Sequence, residues 1–225
     1  MRVMTWNIHG CVGTDGVRSP QRVADVVAAV TPDILAVQEV DLRESHGDPV
    51  PFFDLLEAHA GVHRHEVWTI SDARRQYGIA LISRWEILEA RAVDLAYRSR
   101  EPRTAIDAII AAPSGPIRVI ATHLGLGRGE RRDQMRRLFE VVTPVTRPTI
   151  LLGDFNDWLQ PGAVGRLLAP SFPTAIGGRT FHARLPVFPL DRIYLSPHLK
   201  GTSLSLPLPR DGSDHLPVIA DVQPT

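Results

Sequence analysis

Thr149-Ile150-Leu151-Leu152-Gly153-Asp154-Phe155-Asn156 joins an apolar strand directly to two oxygen-bearing side chains. Pro148 closes the preceding segment, and residues 149–152 read as a buried strand. Burying a carboxylate beside such a strand is costly unless a cation or a proton compensates it. A strand that carries Asp154 and Asn156 to its tip therefore reads as a site rather than a structural accident. A second polar cluster, Ser213-Asp214-His215, stands at the end of another apolar run, residues 216–222.

Outward from Asp154, the strand proves to be the end of a unit that occurs twice. In the first half, residues 2–8 form a strand ending in Asn7-Ile8-His9-Gly10. Ser19-Pro20 then supplies a helix cap and a first-turn proline. Val23, Val26, Val27 and Val30 place four apolar side chains on one helical face, and Pro32 marks the stop. Ile34-Leu35-Ala36-Val37 is the second strand, ending in Gln38-Glu39. In the second half, residues 117–122 form a strand ending in His123, followed by a turn at Gly125, Gly127 and Gly129. Met135, Leu138, Phe139 and Val142 make a helical stripe before the strand that ends in Asp154. Asn7 and Glu39 are 32 positions apart, and His123 and Asp154 are 31 apart. Such a period points to internal pseudo-symmetry, with four polar strand ends on one rim between two packed sheets.

Residues 77–83 and 104–111 also read as strands, as do 190–195 and 216–222. A long loop with Gly177-Gly178, Phe172, Phe181 and Phe188 is expected over 170–189. Many strands with helices confined to a few crossovers predict two packed sheets covered by helices.

Composition sets broad limits. A chain of 225 residues, 44% hydrophobic, is long enough for a large core and is expected to form one domain over 1–225. Twenty-five basic and 25 acidic residues cancel, so no global field draws the protein to nucleic acid or an anionic membrane. The single Cys11 fits a reducing compartment, reads as a packing thiol, and has no identifiable base beside it. No leader-like segment opens the sequence and no apolar run has the length of a membrane span, so the cytoplasm is the expected location.

Taken in order, Trp6-Asn7, Gln38-Glu39, Tyr77-Gly78, Thr122-His123, Gly153-Asp154-Phe155-Asn156, Asp191-Arg192-Ile193 and Ser213-Asp214-His215 resemble the endonuclease/exonuclease/phosphatase superfamily, the group of deoxyribonuclease I. The likeness spans residues 3–220. It implies a four-layer α/β/β/α sandwich and cleavage of phosphate esters with Mg²⁺, or Mn²⁺ in its place. By the same resemblance, Glu39, Asn7 and Asp214 are the expected metal residues, a hard cation favouring carboxylate oxygen. His215 is expected at the scissile phosphate, held by Asp191, whose alternative is an ion pair with Arg192. Asp154 is expected to activate water, with Asn156, His123 and Tyr77 as phosphate contacts. Arg100 and Arg103 are candidate substrate contacts, with plain solvent exposure an equal reading.

The likeness has departures. Some relatives carry Asp two residues after the first Asn, where this chain has His9, which puts a second metal site in doubt. Arg128, Arg131, Arg132, Arg136 and Arg137 read as a solvated helix surface, and His63-Arg64-His65 as strand-edge residues rather than half a zinc site. The expected activity is a metal-dependent phosphodiesterase acting on a small molecule, a lipid headgroup or nucleic acid. The alternatives are a nuclease, a phosphomonoesterase or, with less support, a binding module that has kept the fold.

Overall fold

The computed structural model describes residues 1–47, 51–72, 74–159 and 162–225. The chain begins with β1 (Arg2–Asn7), α1 (Pro20–Val30) and β2 (Ile34–Arg43), then α2 (Phe52–Ala60) and the antiparallel strands β3 (His63–Asp72) and β4 (Arg75–Ser83). β5 (Ile87–Asp94), β6 (Thr104–Ala112) and β7 (Gly115–His123) follow, then α3 (Arg128–Val142) and β8 (Thr149–Asp154). The remainder holds α4 (Ala163–Leu168), β9 (Thr174–Ile176), β10 (Asp191–Leu195), β11 (Leu199–Ser203) and β12 (Val218–Pro224).

These strands form two six-stranded sheets, ordered β11-β12-β1-β2-β4-β3 and β5-β6-β7-β8-β10-β9. At the centre of each lies one parallel pair, β1 with β2 and β7 with β8. Parallel neighbours need a crossover, and α1 and α3 supply it. The remaining pairs are antiparallel in both sheets. The two sheets therefore share one pairing pattern, each built around one of the two repeated units, and the first takes β11 and β12 from the end of the chain.

Three apolar cores separate four layers. Val3, Ile34, Leu81, Val119, Ile150, Leu152 and Ile193 pack between the sheets. Met4, Leu35 and Val37 face outward against Val23, Val26, Val27 and Val30 of α1 and Leu56 of α2. Ile120 and Leu151 face the other way, against Met135, Leu138 and Val142 of α3 and Leu168 of α4. The result is an α/β/β/α sandwich. Valine is a mediocre helix former, so α1 owes its stability to packing, each buried valine contributing on the order of 1.5–3 kcal/mol. Ser19 caps its first turn by accepting from the Arg22 backbone at 3.4 Å.

Several elements go beyond the sequence reading. α2, α4, β3, β5, β9 and β11 carry mixed or short patterns that periodicity does not single out. β3 is an edge strand, so His63 and His65 are strand-edge residues, and Arg64 between them pairs with Glu57 and Glu66. The stretch 170–189 contains β9, and a bridge from Phe181 to Phe188 holds the loop that follows it. Around α3, Arg136 and Arg137 pair with Asp133 on the helix surface, whereas Arg131 is buried and donates to the carbonyls of Gly125 and Leu126. No helix among the described residues is long and apolar enough to cross a membrane.

On the outer face of the second sheet, Asp107 accepts from Arg118 at 2.7 and 2.9 Å and from Arg91 at 3.0 and 2.8 Å. Burial alone would raise this carboxyl's pKa, but the two guanidiniums outweigh it and hold it below the usual carboxylate value. A depressed folded pKa stabilises the protein above the unfolded value near 4, and that contribution is lost as pH falls through the folded one. Asp107→Ala is expected to cost about 2 kcal/mol at pH 7 by urea unfolding, the scale of hydrogen bonds to a charged group. The gap to wild type should narrow from about pH 4 downward; a gap independent of pH would refute the pairing as its source.

Candidate active site

Strand side chains alternate, so each apolar row between the sheets can be followed to its last inward position. On β1 the row runs Val3, Thr5, Asn7; on β7, Val119, Ala121, His123; on β8, Ile150, Leu152, Asp154. On β10, read in reverse, it runs Leu195, Ile193, Asp191. Every row ends in a buried polar group, and hydrogen bonds and close polar approaches link these ends at one rim.

Glu39 reaches the rim by a different device. Val37 faces outward into the α1 core, so a regular strand would turn Glu39 outward too. A register shift between Val37 and Val40, with Glu39 at a left-handed φ of 57°, aims it into the cleft. The bulge also lets β2 continue to Arg43, four residues past the end expected from sequence. Gly153 is required on β8: its φ is 144°, and an added Cβ would lie 1.9 Å from the Thr122 carbonyl oxygen. That close approach sets Asp154 opposite His123 in register.

The polar ends interlock. Asn7 Nδ2 donates to Glu39 Oε1 at 2.8 Å and to Asp154 Oδ2 at 3.1 Å, so one amide holds two carboxylates. Asp154 Oδ1 accepts from the Asn156 backbone at 2.8 Å, which turns Oδ2 toward the cleft. His123 Nε2 lies 3.6 Å from that oxygen and His215 Nε2 lies 3.9 Å from it. Arg103 Nη1 stands 3.3 Å from His123 Nδ1. A guanidinium only donates, so Nδ1 accepts and Nε2 carries the proton. Burial first, then Arg103 and His215, keeps this imidazole's pKa well below its ordinary value, hence neutral.

His215 has the opposite setting. Its Nδ1 bonds Asp191 Oδ2 at 2.8 Å, and Thr180 donates to the same oxygen. Burial opposes the charged ring, but Asp191 outweighs it, with help from Asp154 and Asp214, and the pKa rises to about 10. Asp154 is pushed up to about 7, by burial and then by the Asp191 charge. Tyr77, half-buried on β4, is also raised, by burial and then by Glu39. Beside His215 the wall is aromatic: the Phe181 ring lies 4.9 Å from the imidazole, with Trp158 and Phe188 stacked edge-on behind it.

Most residues singled out from sequence meet here: Asn7, Glu39, His123, Asp154, Asn156, Asp191 and His215. The Arg192 guanidinium donates to backbone carbonyls, and the Asp191 carboxylate goes to His215, so the ion-pair alternative is not the one formed. Asp214 stands one step away, its Oδ1 3.6 Å from His9 Nδ1. Arg103 is buried beside His123 and also donates to Glu101 at 2.8 Å. Arg100 is not brought to the cluster; it is exposed in the β5–β6 turn. Sequence reasoning missed Thr180 and Trp158, because nothing local marks a threonine or tryptophan that only tertiary contact brings to the rim.

The profile of the Endonuclease/Exonuclease/phosphatase family matches residues 4–215. The chain belongs to this family. A full-length relative, the uncharacterized protein YbhP of Escherichia coli, is 30% identical, over 98% of this chain and 95% of that protein. An endonuclease/exonuclease/phosphatase structure from Beutenbergia cavernae superposes with a TM-score of 0.80 at 23% identity, covering 100% of this chain and 71% of that one. The catalytic domain of human Nocturnin, solved with a bound sulfate anion, gives 0.75 at 21%, covering 100% and 94%. At these identities the two structures speak for the fold.

Proteins of the Endonuclease/Exonuclease/phosphatase family are generally hydrolases of phosphoesters, and they typically use a divalent metal. The donor set here fits such an ion. Glu39, Asp154 and Asp191 crowd one cleft, and burial first, then the Asp191 charge, raises the Asp154 pKa. Among the described residues, Asp191 Oδ1 is buried without a hydrogen-bond partner. Asp154, Asp191 and His215 form the tightest donor group, their ligand atoms within 4.8 Å of one another. Its Asp191–His215 edge is already closed by a hydrogen bond, whereas Glu39, 23% exposed, opens to the cleft.

Proposed function

We propose that this protein hydrolyses phosphodiesters with Mg²⁺ or Mn²⁺, by direct attack of water on phosphorus. The observation that carries the reading is the convergence of Asn7 Nδ2, His123 Nε2 and His215 Nε2 on one carboxylate oxygen, Asp154 Oδ2, with Glu39 alongside. A donor-lined pocket that also contains a base is what in-line attack on an anionic phosphate requires.

In this reading Glu39 and Asp214 hold the metal, and Asn7 supports it by fixing Glu39. An ion held by these residues would supply Lewis-acid charge to the phosphoryl oxygens. Asp154 orients the water and takes its proton as the water oxygen bonds to phosphorus. The bond to the leaving oxygen breaks, and His215 gives that oxygen a proton. Asp191, bonded to Nδ1, positions the ring and supports its positive charge. His123 donates from Nε2 to a non-bridging oxygen, fixed in that tautomer by Arg103. Asn156 spends one amide hydrogen on the Leu124 carbonyl at 2.8 Å and keeps the other for the phosphate. Tyr77 stands at the Glu39 side as a further phosphate contact. Because water is the nucleophile, no phosphoenzyme forms.

The test is a hydrolysis panel in Mg²⁺ and Mn²⁺: plasmid DNA, single-stranded RNA, phospholipids, bis-p-nitrophenyl phosphate and p-nitrophenyl phosphate. Turnover of bis-p-nitrophenyl phosphate above the monoester, abolished by EDTA, is expected. Exclusive cleavage of the monoester would replace this reading with a phosphomonoesterase, and no metal-dependent cleavage of any substrate would overturn it.

A further inference from the structure

The cleft does not end at Asp154. On the far side of Glu39 it widens into a cavity of about 480 Å³, lined in part by Arg18, Arg43, Arg75, Asp41 and Tyr77. Two of its guanidiniums meet on one carboxylate. Arg43 engages both oxygens of Asp41, at 3.0 and 2.6 Å. Arg75 Nε approaches that same carboxylate only to 3.8 Å. Asp41, 11% exposed, thus faces two guanidiniums but hydrogen-bonds only the first. Among the described residues, Arg75 Nε is buried without a hydrogen bond. The guanidinium is nonetheless held in place, its carbon 5.3 Å from the centre of the Tyr77 ring. Glu101, also on this wall, is taken by Arg103 at 2.8 Å. The Arg75 side chain, 33% exposed and with only the 3.8 Å approach to Asp41 at its Nε, therefore lines the cavity next to the residue proposed to carry the metal. The opposite flank, beside His215, is aromatic.

We infer that this cavity is a subsite for a second anionic group of the substrate, a phosphate or like oxyanion, on the Glu39 side of the scissile phosphate. The inference rests on the hydrolytic reading above for where the scissile phosphate lies. An oxyanion in the cavity supplies Arg75 with a hydrogen-bond acceptor, and guanidinium–phosphate pairs are among the strong, geometrically specific hydrogen bonds. Glu39 alone would repel such a group, and a divalent ion on Glu39 removes that repulsion. The substrate class is then a phosphodiester with a second phosphate a few bonds away. The next phosphate of a nucleic-acid chain and the phosphate of a doubly phosphorylated small molecule share this chemistry.

The test compares kcat/KM for p-nitrophenyl glyceryl phosphate with and without a phosphate on the second glycerol end, and for a thymidine dinucleotide with and without a terminal phosphate. The wild type is expected to favour the doubly charged member of at least one pair by on the order of tenfold, the effect of one charge-assisted pair. Whichever pair shows the preference identifies the backbone that carries the second anion. Arg75→Gln should bring the ratio close to one, while Arg75→Lys, which keeps the charge, should retain part of it. Arg18→Gln gives an independent reading if Arg75→Gln fails to fold. Calorimetry of the glyceryl pair on His215→Ala in Mg²⁺ measures the same preference without turnover. If neither substrate is cleaved but calorimetry shows the preference, the hydrolytic reading fails and the subsite stands. Equal values within both pairs, or a preference that survives Arg75→Gln and Arg18→Gln, would overturn the subsite.

Discussion

His215→Ala is expected to lower kcat for bis-p-nitrophenyl phosphate about a thousandfold in Mg²⁺, while the protein still unfolds cooperatively. The size follows from the role: a positioned proton donor contributes on the order of 10²–10⁴-fold, and one acting in a buried cleft lies well within that range. The fold should survive because the two cores outside the sheets and the one between them are far larger than this contact. Asp191 keeps Thr180 as a partner when the imidazole is gone, so its carboxylate is not stripped of every hydrogen bond. Circular dichroism and a melting curve separate lost chemistry from lost structure. Wild-type turnover in the variant would remove His215 from the mechanism and leave the convergence on Asp154 without its proton donor.

Glu39→Ala should weaken Mn²⁺ binding by at least on the order of 100-fold, measured by calorimetry. Groups that only support a ligand already contribute 10–100-fold, and a carboxylate that binds a hard cation directly contributes more. This variant also separates two positions for the ion. If the metal lay within the Asp154, Asp191 and His215 group, the loss of Glu39 would leave affinity nearly intact. Asn7 would retain its bond to Asp154 in either case, so local collapse does not confuse the result.

Much of the fold was legible because its central elements have strong periodic patterns. The valines of α1, the Ser19-Pro20 start and the apolar core of β8 each point to the state they adopt. The equal spacing of the two strand–helix–strand units anticipated two sheets with the same pairing pattern. Elements with mixed exposure were harder. β3 and β5 are half-buried edge strands, and α4 has six residues, so neither alternation nor helical period rises above the surrounding sequence.

The site divides along the same line. Sequence order placed Asn7, Glu39, His123, Asp154, Asp191 and His215 at strand ends, and the alternation of buried strands then leaves the last inward position of four of them to a polar group. Sequence by itself thus determined the kinds of element, their pairing into two similar halves and the residues at the rim. It did not determine which way Glu39 points, since that depends on a bulge formed against β4. Nor did it reveal that Arg103 fixes the His123 tautomer, that Thr180 shares the Asp191 oxygen with His215, or that Arg75 lies over Tyr77 with its Nε unbonded. The physical reason is range. Strand and helix patterns arise from neighbours along the chain, whereas proton positions and unsatisfied donors arise from groups many residues apart, which meet only after both sheets have packed.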